Sequence, residues 1–152
     1  MTEPRASRPS PDWLGGEGLL DWEWAVARLV EERNYWIVSV RKNGMPQARP
    51  VWGVWSDETL YLSVGHGGLQ RAMQSPKGPW DVSVHVDSAV DVVIIEGIAE
   101  RVATDDPERR AAYNTKYDWD LWKGGLNFVV HPRLVYGWKA EDVKTATKWT
   151  FG

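Results

Sequence analysis

The sequence predicts a mainly β domain: about six antiparallel strands, closed or nearly closed into a barrel, with a few helices. Three observations carry this. Tyr35 to Ser63 holds three apolar-rich runs separated by two turn signals, a three-stranded meander. Val82, Val84 and Val86 alternate with Ser83, His85 and Asp87, the period-2 pattern of a half-buried strand. The connections between apolar runs are short, as hairpins require.

Met1 to Leu20 is rich in proline, glycine and serine with little apolar periodicity, so it reads as a tail ahead of one domain spanning 21–152. Asp21 can cap a helix in which Trp22, Ala25, Val26, Leu29 and Val30 follow helical spacing and Asn34 is the stop. In the meander the first turn is Lys42-Asn43-Gly44-Met45, because Asn-Gly tolerates positive φ at both positions. The second is Ser56-Asp57-Glu58-Thr59, whose side chains can bond their own backbone. Leu69 to Gln74 reads as one short helix and Ser75 to Pro79 as a loop. A strand over about Asp91 to Ala103 pairs with the Val82–Val86 strand. Asp105 and Glu108 resemble a capping box, with Pro107 in the first turn of a helix that turns Ala112, Tyr113 and Tyr117 inward. Asp118 to Gly125 is irregular and aromatic. The last strands are Asn127–Val130 and Leu134–Trp138, divided by Pro132, and then Lys148–Phe151.

At 152 residues the chain is long enough for one real core. A net charge of −3 with no Lys/Arg cluster argues against nucleic acid as a partner. Zero cysteines exclude disulfides, thiolate metal sites and a cysteine nucleophile. His66, His85 and His131 show no metal-ligand spacing, and no Ser-His-Asp signature is visible. No run reaches membrane-spanning or signal-peptide length, so the expectation is a cytoplasmic protein with no membrane partner. Eleven Trp against two Phe is unusual, since an indole buries a large area but needs a partner for its N–H.

The second strand of the meander carries the functional argument. Pro50 cannot donate to a ladder, so it belongs at an edge or a bulge. Around it stand Arg49, Trp52, Gly53 and Trp55: a cation, two π faces and a position without a side chain. Such a surface suits a flat, anionic ligand. Trp52 and Trp55 are three apart and so face opposite sides of the strand; one belongs to the core and at most one meets a ligand or partner. Arg49 reads either as a phosphate ligand or as a solvated strand residue. Arg71 lies at the start of the short helix, where an anion or plain solvent could face it. Gly65, Gly67 and Gly68 form either a backbone nest for an anion or a plain flexible loop.

Several stretches in this order resemble the pyridoxamine 5′-phosphate oxidase-like split β-barrels, in particular the branch called flavin/deazaflavin oxidoreductases, group B. They are VRKNGMPQARPVWGVW at Val40–Trp55, LYLSVG at Leu60–Gly65, VSVHVDSAVDVVIIEGIAERV at Val82–Val102, KYDWD at Lys116–Asp120 and ATKWTF at Ala146–Phe151. The resemblance implies a six-stranded antiparallel split barrel of Greek-key type. It also implies a homodimer with a flavin-type cofactor at the interface, its ring against the second meander strand and its phosphate beyond the third. By position, the cofactor-binding residues implied are Arg49, Pro50, Val51, Trp52, Gly53 and Val54, then Leu62 and Ser63, then Gly67, Gly68, Leu69 and Arg71. This chain departs from the family pattern in having Gly67-Gly68-Leu69 where Ser-x-Lys is usual, so the phosphate lysine is absent.

The function implied is a flavin- or deazaflavin (F-420)-dependent oxidoreductase moving a hydride to or from a small conjugated substrate. The cofactor carries that chemistry, and the protein supplies orientation and electrostatics. The alternative is a non-catalytic carrier of a flavin, haem or tetrapyrrole, or a barrel without any cofactor. F-420 is expected ahead of FMN, because its single-charge phosphodiester demands fewer cations than a monoester. Trp36, Trp52, Trp55, Trp138 and Trp149 are the expected cover for a dimer interface.

Overall fold

The structure, a computed structural model, describes residues 3–9, 18–65, 69, 71 and 78–152. Among these, strands run over Arg5–Ser7 (β1), Tyr35–Val40 (β2), Pro46–Ser56 (β3), Thr59–Ser63 (β4), Trp80–Val86 (β5), Asp91–Arg101 (β6), Phe128–Lys139 (β7) and Asp142–Thr150 (β8). Helices run over Trp22–Glu31 (α1) and Pro107–Tyr117 (α2). All pairings are antiparallel. The order is β1-β8-β7-β4-β3-β2-β5-β6, and a further β7–β6 pairing closes six strands into a ring. β8 and β1 extend the sheet beyond it. Mainly β architecture and a six-stranded ring are therefore as the sequence predicts.

Each turn of the meander follows from its residues. Asn43 Oδ1 accepts from Met45 N–H at 3.1 Å, and Gly44 takes φ +87°. At the second turn Asp57 and Glu58 both hold positive φ, 51° and 58°. That is the two-residue hairpin geometry whose twist matches the flanking strands. Arg109 on α2 ties this turn down, donating to Ser56 Oγ at 3.2 Å and to Asp57 at 2.7 Å.

The ring interior is filled by alternate residues. Ile37, Val51, Leu60, Leu62, Val84, Val93, Ile95, Phe128 and Val130 belong to one apolar cluster, which α1 covers with Trp22, Ala25 and Leu29. Burying one such side chain fully is worth about 1.5–3 kcal/mol. Trp22 packs on Trp149 and Phe151 at ring-centroid distances of 5.4 and 5.3 Å. A second, smaller core lies outside the ring, where Tyr113, Tyr117, Leu121 and Leu126 meet Val54. It seats α2 on the outer face of β3.

Four sequence expectations need correction. The α2 cap is Asp106, which accepts from Arg109 N–H at 3.0 Å; Asp105 instead accepts from Gly124 N–H at 2.8 Å. Both are one-turn acidic neighbours of Pro107, and the distant backbone donor at Gly124 decides between them. Pro132 does not divide two strands but sits inside β7, where the β6–β7 register shifts between Glu96 and Gly97. A bulge accommodates a residue that cannot donate. β8 is longer than Lys148–Phe151, since β7 supplies partners from Thr150 back to Asp142. Finally, Arg5–Ser7, read as tail, is a short strand paired with Thr150–Lys148 of β8. Residues 10–17 of the same stretch, and 70 and 72–77 of the expected short helix and loop, lie outside the described residues.

Gly97 offers a test of the bulge. A Cβ there would stand 2.2 Å from the His131 carbonyl oxygen, a backbone atom that cannot swing aside. Gly97→Ala should therefore cost about 1–3 kcal/mol. At roughly 2–4 °C of Tm per kcal/mol for a chain of this size, differential scanning calorimetry reads the loss directly. An unchanged Tm would mean the β6–β7 register relaxes freely.

Candidate functional site

β3 changes neighbours halfway along. Pro46 to Val51 pair with β2, and Trp52 to Ser56 pair with β4. Pro50 has its β2 partner in Trp36 and precedes the first β4 pair, Trp52 with Ser63, so its missing donor falls where β4 is not yet present. This is the edge position that the sequence requires of it. Beyond Val51, β2 is no longer alongside, and the polar groups of β3 on that side need other partners.

Helix α2 supplies them. The Tyr117 hydroxyl accepts from Gly53 N–H at 3.0 Å and lies 2.9 Å from the Arg33 carbonyl and 3.1 Å from the Gly53 carbonyl. Lys116 Nζ donates to the Gly53 carbonyl at 3.0 Å and to the Tyr35 hydroxyl at 2.9 Å. Tyr35 in turn donates to the Leu29 carbonyl. Gly53 has no room for a side chain: its Cβ would meet Tyr61 O at 2.5 Å and Leu62 Cδ2 at 2.8 Å. The bare position in the sequence thus reflects close strand packing inside the protein.

Burial shapes the ionisation of this cluster. It pushes Lys116 down to about 8, with Glu32 opposing and Arg33 adding to the shift. It pushes the Tyr117 phenol up to about 12 and Tyr35 still further above the usual phenol range. At neutral pH both phenols are therefore uncharged.

Beside this cluster a groove of about 320 Å³ is lined by Asn34, Pro50, Val51, Trp52, Ser63, Gly65 and Tyr113. Trp52 stacks on Tyr117, with ring centroids 4.5 Å apart and planes within 3°, and its Nε1 donates to Asn34 Oδ1 at 3.2 Å. Tyr113 is buried at the rim and hydrogen-bonds Ser63. No charged side chain appears among the described lining residues.

The expected site residues divide into three sets. Pro50, Val51, Trp52 and Ser63 come together in the groove. Val54 and Leu62 do not: Val54 joins the core under α2, and Leu62 is fully buried in the ring. Gly53 gives both backbone groups to α2. Arg49 is exposed, with Nη1 on the Ala48 carbonyl at 2.8 Å, and none of the salt bridges among the described residues involves it. Leu69 is buried and Arg71 exposed, both helical, whereas Gly67 and Gly68 lie outside the described residues. Trp52 and Trp55 do face opposite ways: Trp55 packs against the ring core and Trp52 meets α2.

Asn34, Tyr113, Lys116 and Tyr117 were not expected at the site. The helical spacing that turns Tyr113 and Tyr117 to one side was readable, but not that this side meets β3. Of the tryptophans expected to cover an interface, Trp149 is instead wholly buried in the core, and Trp55 packs against it. Among described residues the most exposed indoles are Trp119 and Trp122, at 55 and 58%.

The ring of six strands, the helix seated outside β3 and the groove at the strand's change of partner define a split β-barrel. Solved structures agree on that fold. An F-420 reductase is 21% identical with a TM-score of 0.55, covering 79% of this chain and 97% of that one. An FAD-binding protein from Mesorhizobium loti is 18% identical with a TM-score of 0.59, covering 87% and 96%. A protein related to general stress protein 26, of the pyridoxinephosphate oxidase family, from Clostridium acetobutylicum is 10% identical with a TM-score of 0.61, covering 87% and 97%. No family model matches the sequence, and no curated protein matches it. No helix among the described residues is long and apolar enough to cross a membrane.

Lys116 makes a pH prediction. Its folded pKa, about 8, lies below the unfolded value of 10.5. Between these the unfolded chain binds the extra proton, so stability rises with pH from about 8 toward 10. The raised Tyr35 and Tyr117 act oppositely, and only above about pH 10, where unfolded phenols ionise. Chemical denaturation across pH 7–10 should show this rise in the wild type and a flatter profile in Lys116→Met. Parallel profiles would remove Lys116 as the cause.

Proposed function

We propose that this protein is a flavin-type oxidoreductase, passing a hydride to or from a small conjugated substrate through FMN or deazaflavin F-420. The observation that carries the reading is the groove at β3, which brings Pro50, Val51, Trp52 and Ser63 together beside a strand edge fixed by α2. The names of two fold neighbours, an F-420 reductase and an FAD-binding protein, support it. The donor set fits the ring of such a group: planar, uncharged, bounded by an indole and small polar side chains. The bound cofactor would supply the hydride chemistry. The chain's own part is to hold the ring against Val51 and Trp52, with Asn34, Ser63 and Tyr113 at hand for its polar edge. Arg49 and Arg71 are the described cations we assign to its phosphate.

F-420 suits this chain better than FMN. A phosphate monoester near two negative charges needs concentrated cations, and the described lining of the groove supplies none. The carrier reading is favoured by one observation, the Gly67-Gly68-Leu69 sequence that leaves out the usual lysine. Turnover with the reduced cofactor separates enzyme from carrier. A homodimer, with the cofactor at the interface, would cover Trp119 and Trp122, since patches of exposed indole are uncommon on monomers.

Side-by-side fluorescence titrations should give a lower Kd for F-420 than for FMN; the reverse order would return the assignment to FMN. Neutral replacement of Arg49 or Arg71 should weaken binding roughly tenfold or more, as expected for a hydrogen bond to charge. Wild-type affinity in both variants would put the phosphate elsewhere. Light scattering at micromolar concentration should report twice 17.3 kDa, and a monomer mass would refute the dimer.

A further inference from the structure

An indole on the outer face of a strand is free to rotate unless its neighbours hold it. Trp52 is held three ways. Its Nε1 donates to Asn34, its ring lies flat on Tyr117, and Trp119 meets it at 6.0 Å with planes 88° apart. Tyr117 is itself fixed through Gly53 and Arg33. Even so, 37% of Trp52 stays accessible, and the residue lines the groove. A tryptophan serving only the core would have that surface covered, as Trp149 does. Here the contacts immobilise the ring and leave part of it bare.

The rest of the lining states what could lie against it. Pro50 and Val51 are apolar, Gly65 has no side chain, and Asn34, Ser63 and Tyr113 offer neutral donors and acceptors. Ser63 faces Trp52 directly across the β3–β4 pair, so hydroxyl and indole share one face of the sheet. A charged ring would lose its hydration here with no opposite charge among the described lining residues to compensate. A neutral planar ring would gain stacking on a surface whose conformational entropy is already spent.

We propose that Trp52 is a stacking platform, held by Asn34 and Tyr117, which takes the uncharged planar ring system of the ligand and so selects it by ring rather than by phosphate. This rests on the flavin-type reading above and goes beyond it by making the Trp52 indole a surface fixed in advance by Asn34 and Tyr117, and stacking on it the basis of ligand selection. Lumiflavin, an isoalloxazine without a phosphate chain, is the first probe; phenazine, a neutral tricycle that is not a flavin, is the second. Both are titrated against the full chain by absorbance and fluorescence, with circular dichroism to verify folding.

Lumiflavin should bind the wild type, bind Trp52→Leu roughly tenfold more weakly or worse, and bind Trp52→Phe nearly as well as wild type, since a benzene ring restores stacking. Asn34→Ala, which releases the indole without removing it, should weaken binding severalfold and serves if Trp52→Leu does not fold. Undiminished lumiflavin binding in folded Trp52→Leu, or in Asn34→Ala where Trp52→Leu does not fold, overturns the platform and leaves the flavin reading standing. Trp52-dependent binding of phenazine without lumiflavin supports the platform and removes the flavin reading. Binding of neither probe by the wild type overturns both.

Discussion

The Gly53 peptide is the constraint on which the rest of the site depends. β3 is a long strand with two successive neighbours, and where β2 leaves it a buried N–H and C=O would be stranded. An unpaired buried polar group costs about 1–3 kcal/mol, so a strand that changes partner in a ring must be met by something else. Here it is met by Tyr117 and Lys116 from the last turn of α2. The same residue cannot carry a side chain, because Tyr61 O and Leu62 occupy that space. Two requirements therefore fall on one position, a tight β3–β4 approach on one side and a helix terminus on the other.

From that anchor the groove follows. α2 is fixed at its C-terminal end by Gly53 and near its N-terminal end by Arg109, which bridges Asp106 and the Asp57 turn and lies over the Tyr61 ring at 4.4 Å. With both ends tied, Tyr113 and Tyr117 have one place to go, the outer face of β3. Tyr117 then gives Trp52 a surface to stack on, and Asn34, just ahead of β2, takes its N–H. The chain of cause runs from a backbone hydrogen bond to a helix position to an immobilised indole. Each link can be read in a distance.

Much of the fold was legible because it rests on local chemistry. Asn43-Gly44, the Val82–Val86 alternation and the α1 spacing each act within a few residues, and the strands and helix they predict are present. What was missed depends on residues far apart in sequence. Pro132 reads locally as a break, yet β6 runs alongside on both sides of it and turns the break into a bulge. Arg5–Ser7 has no apolar pattern, and only the free edge of β8 makes it a strand. The site divided in the same manner. Pro50 and Trp52 announced themselves by residue type, whereas Gly53 looked like open space for a ligand and is open to none. Lys116 and Tyr117 were invisible as site residues because 63 and 64 positions separate them from the backbone they hold.

Electrostatics then distribute the proposed recognition unevenly. Inside the site Tyr117 and Tyr35 are held protonated and uncharged by burial, while the Lys116 ammonium, weakened by the same burial, is taken up by the Gly53 carbonyl and the Tyr35 hydroxyl. The described cations assigned to a phosphate, Arg49 and Arg71, are both exposed. Exposed ion pairs contribute roughly 0–1 kcal/mol and weaken with salt, unless the ligand or a partner subunit excludes water from them. A desolvated ring stacked on a fixed indole has no such dependence on salt. On the proposed reading, the stacked ring therefore supplies the larger share of affinity in this chain, and the absent lysine marks a site that relies less on the phosphate. The same argument ranks ligands: among molecules with one ring system, those with a single or no phosphate charge lose least by entering a groove whose described lining offers that charge no partner.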